Sequence, residues 1–238
     1  MYPGVSKTPA HHYWAIQEIQ DLVQHLFNKR PCWFQIKVAL ALHAGKDVVA
    51  CASTGAGKTL SFWIPLLMTL EEGKDKITFV VTPLNLLGKQ NVDKLTKVGL
   101  SAIAVSSENN NVKSFRVRNL YNHIAYLPSE SLTIYFQDIE EGKYRIVTIN
   151  PEILMNNPNV DKLWKKPQFM KKILNFIFDE EHCISQWGAF LKEYLQIGAL
   201  RYLIPESIPF YIPSATLPPT VTRKSNAHVI FFHCTCSC

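Results

Sequence analysis

Residues 52–59 read Ala52-Ser53-Thr54-Gly55-Ala56-Gly57-Lys58-Thr59, and they follow an apolar run, Asp47-Val48-Val49-Ala50-Cys51. An amphipathic stretch from Leu60 to Leu70 comes next. Strand, small-residue loop and helix in that order form a phosphate-binding loop. Small residues let consecutive backbone N–H groups close around a phosphate at a helix N-terminus, where the peptide dipoles favour negative charge. Lys58 is placed to reach the β- and γ-phosphates of a nucleoside triphosphate, and the Thr59 hydroxyl to bind Mg²⁺. Ala52 stands where the general pattern has its first glycine, a difference of one methyl group. Thr54, Gly55, Ala56, Gly57, Lys58 and Thr59 are therefore candidate nucleotide-binding residues.

Composition sets the bounds on this reading. With 238 residues, 47% of them hydrophobic and 18% charged, the chain is long enough for one large α/β domain or two small ones, and it needs no disulfide staples. A formal net charge of +6 is compatible with an anionic partner. No apolar run reaches the ~18 residues of a membrane helix, and the first residues lack the charged-then-apolar pattern of a secretory signal. An intracellular, non-secreted protein without a membrane partner is expected. None of the six cysteines forms a Cys-x-x-Cys pair. Cys234, Cys236 and Cys238 crowd the end of the chain beside His233, as a frayed terminus or as a metal site.

Short β-rich runs recur at 47–51, 77–82, 101–105, 145–149, 175–179 and 209–213, with helical patterns between them. Alternation of this kind predicts a parallel sheet with helices on both faces. Thr78-Phe79-Val80-Val81 and Phe176-Ile177-Phe178 are continuously apolar, as strands covered on both faces are. Asn150 before Pro151-Glu152-Ile153-Leu154 predicts a helix cap with proline at the first helical position. Residues 106–144 are long for a crossover. Within them 116–136 carry Tyr121, Tyr126, Tyr135 and Phe136 without clean periodicity, which suggests a surface insertion or an unpacked segment.

The strand Phe176-Ile177-Phe178 ends in Asp179-Glu180-Glu181-His182. A carboxylate at that edge lies beside the phosphate loop in an open α/β sheet. Asp179 is suited to hold Mg²⁺ through water, and Glu180 to orient and activate an attacking water.

The residues that follow, His182-Cys183-Ile184-Ser185-Gln186-Trp187-Gly188, resemble the stretch after the Asp-Glu-x-His box in RecQ-like DNA helicases. Other segments of that family stand in the expected order. Gln35, with Phe34 before it, precedes Lys58 by 23 positions, as does the family's adenine-reading glutamine. Residues 81–90 are similar to the family's motif Ia, and Thr148-Ile149-Asn150-Pro151-Glu152 to the next nucleic-acid-side motif. Ser214-Ala215-Thr216 resembles the motif that couples ATP state to lobe movement. The resemblance runs from about residue 15 to 222 and lapses over roughly 116–136. Glu181 replaces a small residue of the box. After Gly188 the chain is one residue short and lacks the acidic and arginine positions that flank the family's phenylalanine.

This resemblance implies the first RecA-like lobe of an ATP-driven, 3′-to-5′ DNA-unwinding enzyme, an α/β P-loop NTPase domain. It implies ATP and Mg²⁺ as cofactors, with Lys58 and Glu180 catalytic, Gln35 reading adenine, and Thr59 and Asp179 serving the metal. By the same resemblance His182 links the site to Ser214 and Thr216, while Gln186, Trp187 and Phe190 belong to an aromatic-rich loop that senses single-stranded DNA. Trp187 also reads as a core tryptophan. The implied division is a helical extension over 1–28, a nucleotide-binding lobe over 29–225, and an atypical tail over 226–238. Neither a second lobe nor its arginine finger follows Ser-Ala-Thr in this sequence, so a separate second lobe is a candidate partner beside single-stranded or partly duplex DNA. Two other readings stay open: a non-catalytic nucleotide- and nucleic-acid-binding remnant, and a lobe of a DEAD-box RNA helicase. Lys162, Lys165, Lys166, Lys171 and Lys172 form a basic cluster, as a phosphate-contacting strip or as a solvated helix face.

Overall fold

A computed structural model of the chain describes residues 12–53, 55–106, 131–179, 197–215 and 229–234. Its centre is a seven-stranded sheet in which every pair is parallel. In chain order the strands are β1 (Asp47–Ala52), β2 (Ile77–Val81), β3 (Ala102–Val105), β4 (Ile146–Ile149), β5 (Ile173–Phe178), β6 (Phe210–Ser214) and β7 (Val229–Cys234). Across the sheet they run β3-β4-β2-β5-β6-β1-β7. The six strands read from the apolar runs are all present, displaced by no more than a few residues.

Both faces of the sheet are covered, and the side-chain period of two assigns each residue to one side. Phe79, Val81, Phe176 and Phe178 join one core with Tyr135, Phe136, Ile153, Leu163, Phe169 and Leu200. These come from α5 (Ser131–Glu141), α6 (Pro151–Asn156), α7 (Pro158–Trp164), α8 (Pro167–Met170) and α9 (Ile197–Leu203). Val48, Ala50, Val80, Ile177 and Tyr211 face the other way. There they pack against α1 (Ile16–Phe27), α2 (Trp33–His43), α3 (Lys58–Glu71) and Leu95 of α4 (Asn85–Lys97).

Three local features differ from the sequence reading or extend it. The α3 helix is not amphipathic: every residue from Ser61 to Thr69 is buried, because α1, α2 and the sheet enclose it. Residues 131–141 of the long crossover form α5, which buries Tyr135, Phe136 and Ile139 in the core. Part of the segment set apart as a tail, Val229–Cys234, pairs along the whole length of β1 from Asp47 to Ala52. The cap at Asn150 is formed as expected, its side-chain oxygen accepting from Glu152 N–H with Pro151 at the first helical turn.

Candidate nucleotide site at the sheet edge

In a parallel sheet all strands end on the same edge, and ligands bind in the crevice outside it. The order β5-β6-β1 therefore places Asp179, Ser214 and the phosphate loop in one row at neighbouring strand ends. Ser214 lies in register with Cys51, and Asp179 N–H bonds Val81 O at 2.9 Å, continuing the β2–β5 ladder past Phe178.

The loop itself depends on glycine. Gly55 and Gly57 have φ of +86° and +70°, a left-handed conformation that side chains disfavour. Gly57 caps α3, so Lys58 is its first helical residue and Thr59 its second. The first N–H groups of a helix have no partner within it. An anion is the natural complement.

Side chains fix this turn from beneath. Gln35, 3% exposed, accepts from Cys32 N–H through Oε1 at 2.9 Å and donates from Nε2 to Gly57 O at 2.8 Å. The first bond belongs to the capping box that starts α2. The second ties the phosphate loop to that helix. A Cβ added at Gly57 would lie 2.5 Å from Gln35 Nε2, so a side chain here would displace the amide that holds the turn. Each end of the amide keeps one further hydrogen-bonding site, which leaves the base-reading role chemically open. Lys58 Nζ donates to Ala52 O at 2.7 Å and Ser53 O at 3.1 Å, so the loop curls around the ammonium group.

Behind the loop lies a polar pair that the sequence reading did not anticipate. Ser61 Oγ donates to Lys58 O at 2.5 Å and lies 2.8 Å from Tyr211 Oη. Both side chains are fully buried. Burial pushes the Tyr211 phenol well above its ordinary range and the negative charge of Asp179 pushes the same way; the Ser61 hydrogen bond opposes them. The two residues are 150 positions apart, and neither stands in a recognisable motif, so no sequence signal pointed to them.

The residues present fit a nucleotide and its metal. A glycine cradle at a helix N-terminus suits phosphate. The hydroxyl of exposed Thr59 and the carboxylate of half-exposed Asp179 are hard oxygen donors of the kind Mg²⁺ takes. Farther along the same edge, the motifs after β2 and β4 also meet. Asn150 Nδ2 donates to Asn85 Oδ1 at 3.4 Å, and Gly88 of α4 packs so closely that a Cβ there would lie 2.9 Å from Thr148 Cγ2. Thr54, Glu180, His182, Gln186, Trp187, Phe190 and Thr216 lie outside the described residues, as do the side chains of His233 and Cys234. Among the described residues no helix is long and apolar enough to cross a membrane, and no group of three potential metal-ligating side chains of the His, Cys, Asp or Glu type occurs.

Comparison with known proteins agrees with this geometry. The chain is 28% identical over 226 residues to the ATP-dependent DNA helicase hus2/rqh1 of Schizosaccharomyces pombe, covering 94% of this chain and 16% of that protein. It is 29% identical to the ATP-dependent DNA helicase RecQ of Haemophilus influenzae, over 73% of this chain and 24% of the relative. The RecQ of Synechocystis is 30% identical, over 82% and 36% respectively. The chain thus spans well under half the length of each. Among solved structures, a DEAD box protein from Methanococcus jannaschii superposes with a TM-score of 0.60 at 21% identity, covering 90% of this chain and 52% of that one. The DUF1998 helicase MrfA bound to DNA gives 0.61 at 14% identity, covering 90% and 29%. The family model for DEAD/DEAH box helicases matches residues 33–224, from the start of α2 to beyond β6, and the chain therefore belongs to the DEAD/DEAH box helicase family.

Proposed function

We propose that these residues form the ATP-binding motor lobe of a RecQ-like 3′-to-5′ DNA helicase. The observation that carries the reading is the row at the sheet edge. A glycine-built loop opens α3 at the end of β1, with Ser214 at the end of β6 and Asp179 at the end of β5 beside it. The RecQ helicases among the relatives support DNA, rather than RNA, as the polymer acted on. Such a substrate places the protein's work inside the cell, in the nucleus of a eukaryote.

When bound, ATP with Mg²⁺ supplies the phosphoryl group whose transfer to water releases the free energy for movement. The chain's own residues bind and orient. The backbone of residues 54–59 cradles the phosphates, and Lys58 neutralises their charge. Thr59 and Asp179 hold the metal, and Gln35 reads the adenine edge. Glu180 orients the attacking water, His182, Ser214 and Thr216 pass the state of the site onward, and Gln186, Trp187 and Phe190 sense the DNA strand. Stacking bases on such rings is tolerant of sequence and worth about 1–3 kcal/mol per base.

The experiment is ATP binding and turnover by the 238-residue polypeptide, with and without single-stranded DNA or RNA. Tight Mg²⁺-dependent ATP binding is expected, with turnover that is slow and little stimulated. An arginine finger is worth about 10³–10⁵ in rate, and the resemblance assigns it to a second lobe. Adding such a lobe in trans is expected to restore turnover. Failure to bind ATP would overturn the reading, and a strong preference for RNA would transfer it to the RNA helicases.

A further inference from the structure

We infer that Tyr211 and Ser61 are positioning residues that tune the grip of the phosphate loop, through a one-way hydrogen-bond relay ending on the Lys58–Thr59 peptide group. The inference rests on the reading of residues 52–59 as the nucleotide site.

The direction of the relay follows from counting hydrogens. A serine hydroxyl has one, and that of Ser61 goes to Lys58 O at 2.5 Å. The short contact of 2.8 Å between Ser61 Oγ and Tyr211 Oη must then be donated by tyrosine. Tyr211 has that proton to give, because burial holds it as the neutral phenol. The chain runs Tyr211 O–H to Ser61 O–H to Lys58 C=O, and each bond polarises the next.

The acceptor at its end matters. Lys58 C=O and Thr59 N–H belong to one planar, conjugated peptide unit. Hydrogen bonding at the oxygen draws electron density from the nitrogen and makes the N–H a better donor. Thr59 is the second residue of α3, where N–H groups lack helical partners and face the anion site. Gln35 does the equivalent one peptide earlier, since its Nε2 binds Gly57 O, the carbonyl conjugated with Lys58 N–H. Two successive phosphate-facing N–H groups are thus backed by buried side-chain donors. Tyr211 reaches the loop from β6, the strand that ends at Ser214, so the relay also joins that strand to the phosphate turn. The ring is held independently of its hydroxyl, edge-to-face with Phe62 at 5.7 Å.

The test is competitive binding of ATP, ADP and GTP to the 238-residue chain and to Tyr211→Phe, Ser61→Ala and the double variant, with thermal unfolding measured alongside. Tyr211→Phe keeps the ring and removes the relay's first donor. It is expected to weaken ATP and ADP together by about twofold, because the lost bond is present with and without nucleotide and only the roughly 10–30% by which it strengthens the phosphate-facing N–H contact is lost from binding, and to leave the ATP-to-GTP affinity ratio unchanged. Ser61→Ala is expected to lose at least as much, and the double variant no more than Ser61→Ala, because the bonds act in series. Ser61→Thr, which keeps the hydroxyl, is expected to restore affinity. Wild-type affinity in Tyr211→Phe, or additive losses in the double variant, would overturn the relay while leaving the nucleotide site standing. Absence of ATP binding by the unaltered chain would overturn the nucleotide site itself and the relay with it.

Discussion

At the C-terminal edge of the sheet, Gln35, Lys58 and Ser61 each direct a polar atom to a backbone carbonyl of the phosphate turn. At the N-terminal edge Lys76 and Lys172 also bind backbone carbonyls, but most charged side chains there meet one another. Arg145 pairs with Asp75, Lys143 with Asp138 and Glu141, and Lys166 with Glu140. Glu72, at the far end of α3 from the loop, accepts from Trp14 Nε1, contacts His43 Nε2 and pairs with Lys74. One edge uses side chains to shape a backbone surface, leaving N–H groups for a ligand. The other satisfies its charges internally. Substitutions at the first edge should therefore change ligand affinity with little effect on stability, and those at the second should do the reverse.

Lys58→Ala is the strongest challenge to that division. It removes the cation that the proposed site sets against the phosphates, and charge-assisted contacts to phosphate are about twice as strong as neutral ones. ATP affinity should fall about 100-fold or more, a loss of ~3 kcal/mol within the range for hydrogen bonds to charged groups. The core of α3 does not contain this side chain, so the melting temperature should stay within a degree or two of wild type. Isothermal titration beside a thermal melt checks both halves. A large drop in stability would mean that the lysine is part of the scaffold.

Glu72→Gln tests the opposite edge. The Glu72 side chain is 3% exposed. Burial pushes its carboxyl up, but Lys74, Trp14 and His43 together outweigh burial and hold it below the ordinary 4.5. Removing the charge should cost about 2 kcal/mol of stability at neutral pH, the worth of charged hydrogen bonds in a semi-buried site, with ATP affinity unchanged. The sign of the pH dependence follows from the lowered folded value. The contribution is complete above the unfolded carboxyl's range and is lost as pH falls through the folded one. The gap between wild type and variant should therefore close below about pH 4. Denaturant melts across pH 3–7 measure it, and a gap that widens in acid would contradict the assignment.

Gln35→Ala belongs to the first edge yet touches both properties. It breaks the capping box of α2 and the bond to Gly57 O together. A loss of about 1 kcal/mol in stability is expected from the cap. If the glutamine amide pairs with the adenine edge as proposed, ATP affinity should also fall, and more steeply than for an analogue without the adenine amino group. Equal losses for the two nucleotides would leave Gln35 as a brace for the loop and remove its base-reading role. The steric link adds a sharper test. Gly57→Ala meets Gln35 Nε2 in the wild type, so the alanine at 57 should be less damaging when Gln35 is already absent. The left-handed φ of Gly57 keeps part of the cost in either background.

How much of this was readable in advance depended on how local the determinants are. The phosphate loop was legible because its chemistry confines small residues, lysine and threonine to eight consecutive positions. Strands β2 and β5 were legible because burial on both faces leaves an unbroken apolar run. Strand β7 was not, although His228-Val229-Ile230-Phe231-Phe232 has the β-branched and aromatic character of a strand. What makes it one is pairing with Asp47–Ala52, far away in the chain. Helix α5 was hidden for a related reason: its buried Tyr135, Phe136 and Ile139 make a helical face only when the sheet is there to receive them. The Ser61–Tyr211 pair lies at the extreme of this trend, because two hydroxyl groups carry no pattern until the fold brings them together.

The smallest expected effect is the most exacting test of the N-terminal edge. Arg145 donates to Asp75 at 2.6 Å, but the Asp75 side chain is 82% exposed. Solvent screens such a pair, and holding two side chains together costs entropy. Exposed ion pairs are worth only about 0.2–1 kcal/mol for these reasons. Asp75→Ala should lower stability by less than about 0.5 kcal/mol, and even that difference should vanish at 1 M salt, where the Debye length is about 3 Å. Glu72→Gln should keep most of its effect in the same salt, because its partners enclose it. Chemical denaturation of the two variants at low and high salt separates the cases. If Asp75→Ala proved as costly and as salt-resistant as Glu72→Gln, the charges along this edge would be acting as one buried network, and exposure would not rank them.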